Sequence, residues 1–307
     1  MFSQFFGHYL LNQGLLTREQ LADALEFQQS VHVKFGVIAV DEGFLTPVQV
    51  EKVHEMQKQV DKRFGEIAVD LGFLTNEQVE AMLSVQKQNH LLLAQALVDK
   101  EYMSIEQFSN ALNDYKKEYS LSDDKFEAIK RGDIDELVNN ILSVEDTEKV
   151  EKYGRYLSLF AKNMIRFIDD QVYFELSMNE GLSKENWLVH QEIIGEAPLF
   201  TAISASEDVF LHMASVYAEE ELTVVDELAQ ASVSEFLNLH NGIYLVNMSN
   251  EGIELNMNPQ EVKQEATVVG DVFIVTVQTT KGHFQLAICD QPSSVSIASN
   301  QDRQQLV

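Results

Sequence analysis

A motif of 24 residues recurs every 29 residues through the first third of the chain, with five residues between successive copies. A unit this short cannot bury its apolar face alone, whereas stacked units bury a continuous core. The repeat therefore predicts a helical repeat module over residues 1–117. The fourth copy is degenerate, with Glu101 where the others have a middle glycine. The four copies span residues 5–28, 34–57, 63–86 and 92–115.

Each copy has the sequence features of two short helices joined by a tight turn. In the second copy, Gly43 lies where a left-handed residue would end the first helix, because glycine has no Cβ to clash there. Thr46 suits the N-cap of the second helix, and Pro47 suits its first helical position. In the third copy, Thr75 and Gln78 predict a capping box.

The second and third copies resemble the MshEN domain, which is related to the N-terminal domain of type II secretion ATPases. Both copies begin with a basic residue, an aromatic residue and glycine, and both end on glutamine. In that family two such motifs, five residues apart, form a site for cyclic di-GMP. Arginine and glutamine can hydrogen-bond a base, and glycine allows close approach to the backbone. The ligand contacts that the resemblance implies are Lys34, Phe35, Gly36, Gln57, Arg63, Phe64, Gly65 and Gln86.

The repeats also have a second interpretation, as a helical platform for a protein partner or for self-association into a homodimer. Lys34 stands where the MshEN family has arginine, and lysine cannot reproduce the planar guanidinium fork. The outer two copies lack a basic first residue. Both interpretations of the repeats stay open at the level of sequence.

The length of 307 residues fits about two domains. A formal net charge of −27 makes most of the surface repel nucleic acid and anionic lipid, so we expect no nucleic-acid partner. The chain has no long apolar run and no basic region before an apolar N-terminal stretch, so we expect no membrane span, no secretory signal and a cytoplasmic location. The single cysteine, Cys289, excludes an intramolecular disulfide and a cysteine-built site, and we expect no metal site in this chain.

Two further segments frame the second domain. Residues 118–145 are rich in charge but keep recurrent apolar residues, which predicts a helical connector of two short helices broken at Gly132. The domain boundary is expected within this connector. Residues 291–307 are expected to form a flexible tail.

Residues 146–290 have the pattern of an α+β domain. Long helices are predicted at 150–168 and 223–239, and a shorter helix at 207–217. The order of elements indicates one helix-and-strand unit used twice. The predicted fold class is therefore α+β, with an N-terminal helical repeat module and a two-fold duplicated C-terminal α/β domain. Strands are predicted at 172–176, 187–194, 198–204, 253–255, 266–269, 272–278 and 283–289.

This second domain resembles the CheX/CheC family of chemotaxis phosphatases over roughly residues 146–290. The resemblance rests on the stretch Glu235-Phe236-Leu237-Asn238 on the second long helix, with Gly242 four residues later. In that family each of two halves begins with a long helix, and the long helices pack on a shared antiparallel sheet. The resemblance implies the same architecture here.

The resemblance also implies an activity, the hydrolysis of an aspartyl phosphate on a partner response regulator with a CheY-like receiver domain. Glu235 and Asn238 are three residues apart on a helix and so project from one face. Asn238 would orient a water molecule, and Glu235 would pair with the lysine beside the phosphorylation site. The regulator supplies the aspartate and a Mg²⁺ ion, so no tightly bound cofactor is expected in this chain.

Two departures from the family pattern leave three hypotheses of function. Ala231 stands where the family often has aspartate or serine, and Phe160 stands at the glutamate position of the first half, so at most one site per chain is expected. The first hypothesis is a phosphatase that ends a chemotaxis or two-component signal, with the repeats as a regulatory module. The second is a non-catalytic binding protein that senses cyclic di-GMP or binds a signalling partner. The third is a purely structural scaffold or dimer.

Overall fold

The computed structural model describes residues 2–60, 62–84, 89–143, 147–176 and 187–299. The chain divides into two compact units, an N-terminal unit of Phe2–Leu137 and a C-terminal unit from Val138 onward. This division falls inside the segment that the sequence predicts as a connector. No helix in the described part of the chain is long and apolar enough to cross a membrane.

The N-terminal unit is built from successive pairs of helices. The first eight helices are the four pairs that the repeat predicts, and two more follow on either side of Gly132, the second of which continues past Leu137 into the C-terminal unit. A short 3-10 helix at Gln28–Ser30 extends the second helix. The helices are α1 (Phe2–Asn12), α2 (Arg18–Phe27), α3 (Phe35–Asp41), α4 (Pro47–Gln57), α5 (Phe64–Asp70), α6 (Asn76–Ser84), α7 (Asn89–Asp99), α8 (Ile105–Glu118), α9 (Asp123–Lys130) and α10 (Ile134–Ser143).

The turn inside each pair repeats with the sequence. Gly14, Gly43 and Gly72 have φ angles of 68°, 69° and 68°. Glu101 has the same place in the fourth copy and a φ of 57°, although a Cβ makes the left-handed region costly. The fourth copy therefore keeps the geometry of the repeat after losing its glycine.

A capping box starts the second helix of every pair. A threonine or serine hydroxyl accepts from the backbone N–H three residues later, and the glutamine at that position accepts from the backbone N–H of the cap. The N-caps predicted at Thr46 and Thr75 are confirmed. The four boxes pair Thr17 with Gln20, Thr46 with Gln49, Thr75 with Gln78 and Ser104 with Gln107.

A glycine lets the first helix of a pair approach the second closely in the first three copies. A methyl group at this position would meet a branched side chain 14 residues later in each copy. The glycine thus has a packing role in all three copies that needs no ligand. A Cβ on Gly7 would lie 2.6 Å from Leu21, on Gly36 2.8 Å from Val50, and on Gly65 3.1 Å from Val79.

The C-terminal unit contains long helices and an antiparallel sheet, so the fold class is α+β as predicted. The main sheet has the strand order β1-β7-β8-β3-β2-β4, with β5 also pairing with β2, and β6 pairs separately with β9. The elements are α11 (Thr147–Phe167), β1 (Tyr173–Leu176), β2 (Trp187–Gly195), β3 (Leu199–Ala205), α12 (Glu207–Ala218), α13 (Glu227–Asn250), β4 (Leu255–Met257), β5 (Glu261–Gln264), β6 (Ala266–Val269), β7 (Phe273–Thr279), β8 (Gly282–Cys289) and β9 (Ser296–Ser299).

The core of this unit lies where α11 and α13 pack together over the sheet. Phe160 of α11 meets Phe236 of α13 with ring centroids 5.8 Å apart, and it meets Phe284 of β8 at 6.2 Å. All three rings are almost completely buried. Because α13 also packs against β2, one side of this helix is fixed along much of its length.

Four elements differ clearly from the sequence prediction. The second long helix runs from Glu227 to Asn250 rather than over 223–239, because Asp226 caps it by accepting from the Ala229 N–H at 2.9 Å. Strand β4 begins two residues later than predicted, and β5 was not predicted. The segment expected to be a flexible tail contains β9, since Val295 and Ile297 pack against the core and bring that strand beside β6. Residues 300–307 of that segment lie outside the described residues.

Candidate functional site

Glu235 and Asn238 lie side by side near the middle of α13. The Asn238 Nδ2 donates to the Glu235 Oε2 at 3.3 Å. Glu235 is exposed and Asn238 is half-buried. Because the surrounding 24-residue helix is continuous, the backbone under both residues is held by hydrogen bonds on either side. The structure thus brings together the two residues that the sequence predicts as catalytic.

The helix surface around this pair is open and largely apolar. Leu228 and Val246 are 45% and 61% exposed, and Ala231 is exposed as well. A Cβ added to Gly242 would have only the Met257 Cε nearby, at 3.9 Å. Steps of three and four residues place all these positions on one side of the helix. We call this surface the α13 face, comprising Leu228, Ala231, Glu235, Asn238, Gly242 and Val246.

Asn238 is held from beneath by Gln191 of β2. The Gln191 Nε2 donates to the Asn238 Oδ1 at 2.9 Å, and the Gln191 side chain is 1% exposed. The two residues are far apart in sequence, and no spacing rule connects them, so sequence reasoning missed this contact.

Tyr217, at the end of α12, is a second neighbour that sequence reasoning missed. Burial, together with the nearby carboxylate of Glu235, raises the pKa of Tyr217. Its ring packs edge-to-face against Phe236, with centroids 5.9 Å apart. Tyr217 thus borders the site, which itself combines a carboxylate that accepts hydrogen bonds with an amide that can both donate and accept them.

In the first half of the domain, the two described residues of α11 that correspond to this pair lie in the core. Phe160, at the glutamate position, is buried in the core. Asn163 is also buried, and its Nδ2 lies 3.0 Å from the Nδ1 of His240. Burial lowers the pKa of His240 to about 3, so this asparagine faces a neutral imidazole.

In the N-terminal unit, Lys34 is engaged by α7 of the fourth copy. Its Nζ lies 2.6 Å from the Asp99 Oδ1, and its backbone N–H donates to the Gln95 Oε1 at 2.8 Å. A cavity of about 440 Å³ lies beside it, and Lys34, Gly36, His54 and Gln95 contribute to its lining. Lys34 and Gly36, two of the four predicted contacts of the second copy, therefore border this cavity, which Gln95 of the fourth copy also lines.

The aromatic residues of the two predicted motifs do meet. The rings of Phe35 and Phe64 lie with centroids 6.0 Å apart. The Phe64 ring also packs edge-to-face against His54 at 5.2 Å. These contacts join the first helix of the third copy to both helices of the second copy.

The other predicted ligand contacts are dispersed. Arg63 is exposed, and neither Arg63 nor Gly65 is among the described residues that line the cavity beside Lys34. The Gln57 Nε2 donates to the Lys62 carbonyl oxygen at 3.3 Å. Gln86 lies outside the described residues. The structure thus assembles part of the predicted nucleotide-binding set.

Comparison with known proteins finds no matching family model and no matching curated protein. Among solved structures, the chain is similar to a CheC-like superfamily protein from Shewanella sp. PV-4, with 18% identity and a TM-score of 0.38, over 44% of this chain and 93% of that one. It is similar to the chemotaxis protein CheX from Vibrio vulnificus, with 14% identity and a TM-score of 0.37, over 44% of this chain and 95% of that one.

A third similar structure is the complex of CheX with CheY, beryllium fluoride and Mg²⁺ from Borrelia burgdorferi. The identity is 14% and the TM-score 0.37, over 48% of this chain and 98% of that one. The similarity in these structures lies in the C-terminal part of the chain. The N-terminal repeats are outside it.

Proposed function

We propose that this chain hydrolyses an aspartyl phosphate on the receiver domain of a response regulator, using Glu235 and Asn238 on the α13 face. The observation that carries this proposal is the geometry of the pair, an exposed carboxylate beside an amide that is fixed from below and open from above. The sequence resemblance to the CheX/CheC phosphatases gives the same two residues these roles.

The proposed reaction requires this chain to position a water molecule and forms no covalent bond to it. A water oxygen attacks phosphorus in line with the bond to the aspartate carboxylate, the new P–O bond forms, and the bond to aspartate breaks. The products are inorganic phosphate and a free aspartate. Asn238 would hold the attacking water, and the regulator would supply the aspartate and its Mg²⁺ ion. Glu235 would pair with the regulator lysine beside the phosphorylated residue.

The α13 face also suits the approach of another protein. Small residues at Ala231 and Gly242 leave room on either side of the pair, and Leu228 and Val246 offer exposed apolar contacts at its ends. A receiver domain that covers this surface would exclude water around the amide and strengthen its hydrogen bonds. Ala231 contributes no polar group, so the proposed chemistry rests on Glu235 and Asn238.

The test follows the loss of radioactive phosphate from a phosphorylated receiver domain of the same organism, with and without the full-length protein. We expect acceleration by the unsubstituted protein and a loss of that acceleration in Asn238→Ala. Asn247→Ala is the matched control, because Asn247 is exposed on the same helix but about half a turn away around its axis. It should leave the rate unchanged.

Glu235→Gln separates docking from chemistry. Removal of the negative charge should weaken the attraction to the regulator lysine, so half-maximal acceleration should need a higher concentration of the phosphatase. If none of the receiver domains of the organism loses phosphate faster in the presence of this protein, the phosphatase function is excluded and a binding role remains.

A second candidate function, the binding of cyclic di-GMP, is favoured by the cavity beside Lys34. Its volume of about 440 Å³ falls within the usual range of about 300–1,000 Å³ for ligand pockets. In a chain of net charge −27, a ligand with two phosphates would need local cations, and Lys34 and Arg63 are the predicted ones.

Thermal denaturation with and without cyclic di-GMP tests this second candidate. A ligand that binds only the folded protein raises the Tm by mass action. We expect a rise that Lys34→Ala reduces and that Lys58→Ala, at an exposed lysine on the same unit, does not. The absence of a rise at saturating nucleotide would leave the repeats as a platform for a protein partner.

A further inference from the structure

A row of hydrogen bonds runs from the buried core of the C-terminal unit to the exposed Glu235. The Tyr156 hydroxyl donates to the Asn241 Oδ1 at 2.8 Å, and the Asn241 Nδ2 donates to the Gln191 Oε1 at 2.8 Å. The Gln191 Nε2 donates to the Asn238 Oδ1 at 2.9 Å. We propose that Gln191 is a positioning residue that sets which end of the Asn238 amide faces the substrate, an inference that rests on the proposed phosphatase function.

The orientation of Gln191 is determined by a backbone carbonyl. Its Nε2 lies 2.9 Å from the Asn258 carbonyl oxygen, which can only accept a hydrogen bond. The amide nitrogen of Gln191 must therefore be on that side, and its second N–H then points at Asn238. Asn238 can satisfy this donor only with its Oδ1. A main-chain atom between β4 and β5 thus decides the orientation of the Asn238 amide.

The opposite end of Gln191 is equally restrained. Its Oε1 accepts from Asn241, whose Nδ2 also donates to the Thr201 Oγ1 at 3.0 Å. The Thr201 hydroxyl donates to the backbone carbonyl oxygen of Gln191 at 2.9 Å. Thr201 and Asn241 are fully buried. A rotation of the Gln191 amide would therefore break several buried hydrogen bonds at once and leave polar groups unpaired.

These restraints determine which polar atoms of Asn238 face the open surface. Its Oδ1 is held by Gln191, and its Nδ2 donates to the Glu235 Oε2 at 3.3 Å. One amide N–H and one lone pair of the Oδ1 are left for a water molecule. A freely rotating asparagine would present the reversed arrangement part of the time, so the row of buried amides keeps the productive orientation before any partner binds.

Substitutions of Gln191 test the positioning role in the full-length protein. Gln191→Met keeps the approximate shape of the side chain and removes both its donors and its acceptor. Gln191→Glu places a carboxylate oxygen against two acceptors, the Asn258 carbonyl and the Asn238 Oδ1, and should turn the Asn238 amide around. We expect both variants to lower the rate of dephosphorylation at saturating receiver domain by about tenfold or more. Their affinity for the beryllofluoride form of the receiver should stay within about twofold of the unsubstituted value.

Asn163→Ala is the matched control for damage to the core. It removes a buried amide that contacts His240 and lies outside the row of hydrogen bonds from Tyr156 to Glu235, so it should lower the Tm without lowering the rate at saturation. If Asn163→Ala slows dephosphorylation as much as Gln191→Met does, the effect is a general loss of structure and the positioning role is overturned.

The side-chain amide signals of Asn238 in a nitrogen-15 correlation spectrum give a readout that does not depend on activity. In the unsubstituted protein we expect a single sharp pair of proton signals for this amide. In Gln191→Met, with backbone signals elsewhere in the sheet preserved, we expect these signals to shift and their hydrogen exchange to speed up. Unchanged Asn238 signals in that variant overturn the inference. The two proposals can therefore fail separately. If the spectrum changes as expected but the unsubstituted protein accelerates phosphate loss from no receiver domain, the contact between Gln191 and Asn238 is supported and the phosphatase function is rejected.

Discussion

The Lys130 Nζ lies 2.9 Å from the Asp41 Oδ2, and the two side chains are only 4% and 5% exposed. The same Asp41 oxygen lies 3.0 Å from the Nε2 of His90, which is fully buried. Burial acts to raise the pKa of Asp41, but its contacts with His90 and Lys130 outweigh it and hold the pKa below its usual value. This cluster fastens α9 to helices of the repeat.

Replacement of Lys130 should therefore be costly. Lys130→Met leaves a buried carboxylate without its cation, and loss of one partner of a buried pair costs about 3–5 kcal/mol of unfolding free energy. Urea denaturation of the full-length protein, followed by circular dichroism, measures this loss. Lys125→Met is the control, because the Lys125–Glu136 pair is largely exposed and should cost at most about 1 kcal/mol. Equal losses in the two variants would contradict a special role for the buried pair.

His240 should make the C-terminal unit lose stability in mild acid. Burial lowers its pKa to about 3 in the folded protein, whereas in the unfolded chain the value is about 6.5. Between these values only the unfolded chain binds the proton, so unfolding becomes easier by about 1.4 kcal/mol for each pH unit below about 6.5. Above about pH 6.5 both forms are neutral, and this contribution does not change with pH.

Urea denaturation at several pH values between about 5 and about 7 measures that slope. His240→Leu should remove the part of the slope that this residue causes, although it also leaves Asn163 without its partner and lowers stability at every pH. His32→Leu is the control, because His32 is exposed, and it should leave the slope as it is. An unchanged slope in His240→Leu would show that the imidazole is not held neutral by the fold.

The parts of the fold that depend on residues close together in the sequence could be predicted. The turn at Gly43 and the caps at Thr46 and Thr75 are local devices, and the structure has them where the sequence indicates. The start of α13 was misplaced because apolar residues before Asp226 continue the helical pattern, while the aspartate that caps the helix lies after them. Its end was placed too early because packing of Tyr244 and Met248, both buried, extends the helix.

The candidate site likewise contains one contact that the sequence predicts and one that it does not. Glu235 and Asn238 are three residues apart, so their proximity follows from helical geometry alone. Gln191 comes to Asn238 only through the packing of α13 on β2, and no periodicity in either segment indicates that pairing. The glycines of the predicted nucleotide motifs could not be interpreted from sequence alone. A glycine is required both where two helices approach closely and where a ligand approaches the backbone, so its presence does not distinguish the two.

Glu101 offers a direct test of the repeat geometry. It adopts a φ of 57°, a conformation that costs a residue with a Cβ about 1–2 kcal/mol. Glu101→Gly should therefore stabilise the N-terminal unit by up to about 1 kcal/mol, since greater freedom of glycine in the unfolded chain offsets part of the gain. Gly72→Ala is the matched reverse change at a φ of 68° and should lower the Tm. If the two changes move the Tm in the same direction, the fourth copy does not share the turn of the third.

Gly36 can be tested for a packing role apart from any nucleotide. A Cβ on Gly36 would lie 2.8 Å from the Val50 Cγ1, so Gly36→Ala should cost about 1–3 kcal/mol through overpacking. Val50→Ala in the same chain makes room for the new methyl group, so the double variant should lose less stability than the sum of the two single losses. Thermal denaturation without nucleotide measures all three variants. Strict additivity of the two losses would show that Gly36 and Val50 do not contact each other.

Gly242 lies inside α13, and the small side chain at this position is not required by packing. A Cβ would meet only the Met257 Cε, at an ordinary contact distance of 3.9 Å. Glycine in the interior of a helix costs about 0.5–1 kcal/mol relative to alanine, so Gly242→Ala should raise the free energy of unfolding by about that amount. Gly154→Ala in α11 is the control, because its Cβ would lie 2.7 Å from the Asn139 Oδ1 and the gain should be smaller or absent.

The same position can show whether the α13 face is used by a partner. Gly242→Leu keeps the helix but adds a bulky side chain next to Asn238 on the proposed docking surface. We expect it to fold as stably as Gly242→Ala and to raise the receiver concentration needed for half-maximal dephosphorylation by about tenfold, because a misfitted contact prevents close approach. The phosphate-release assay with Gly242→Ala as reference measures this. Equal concentration dependence in the two variants would place the partner on another surface of the domain.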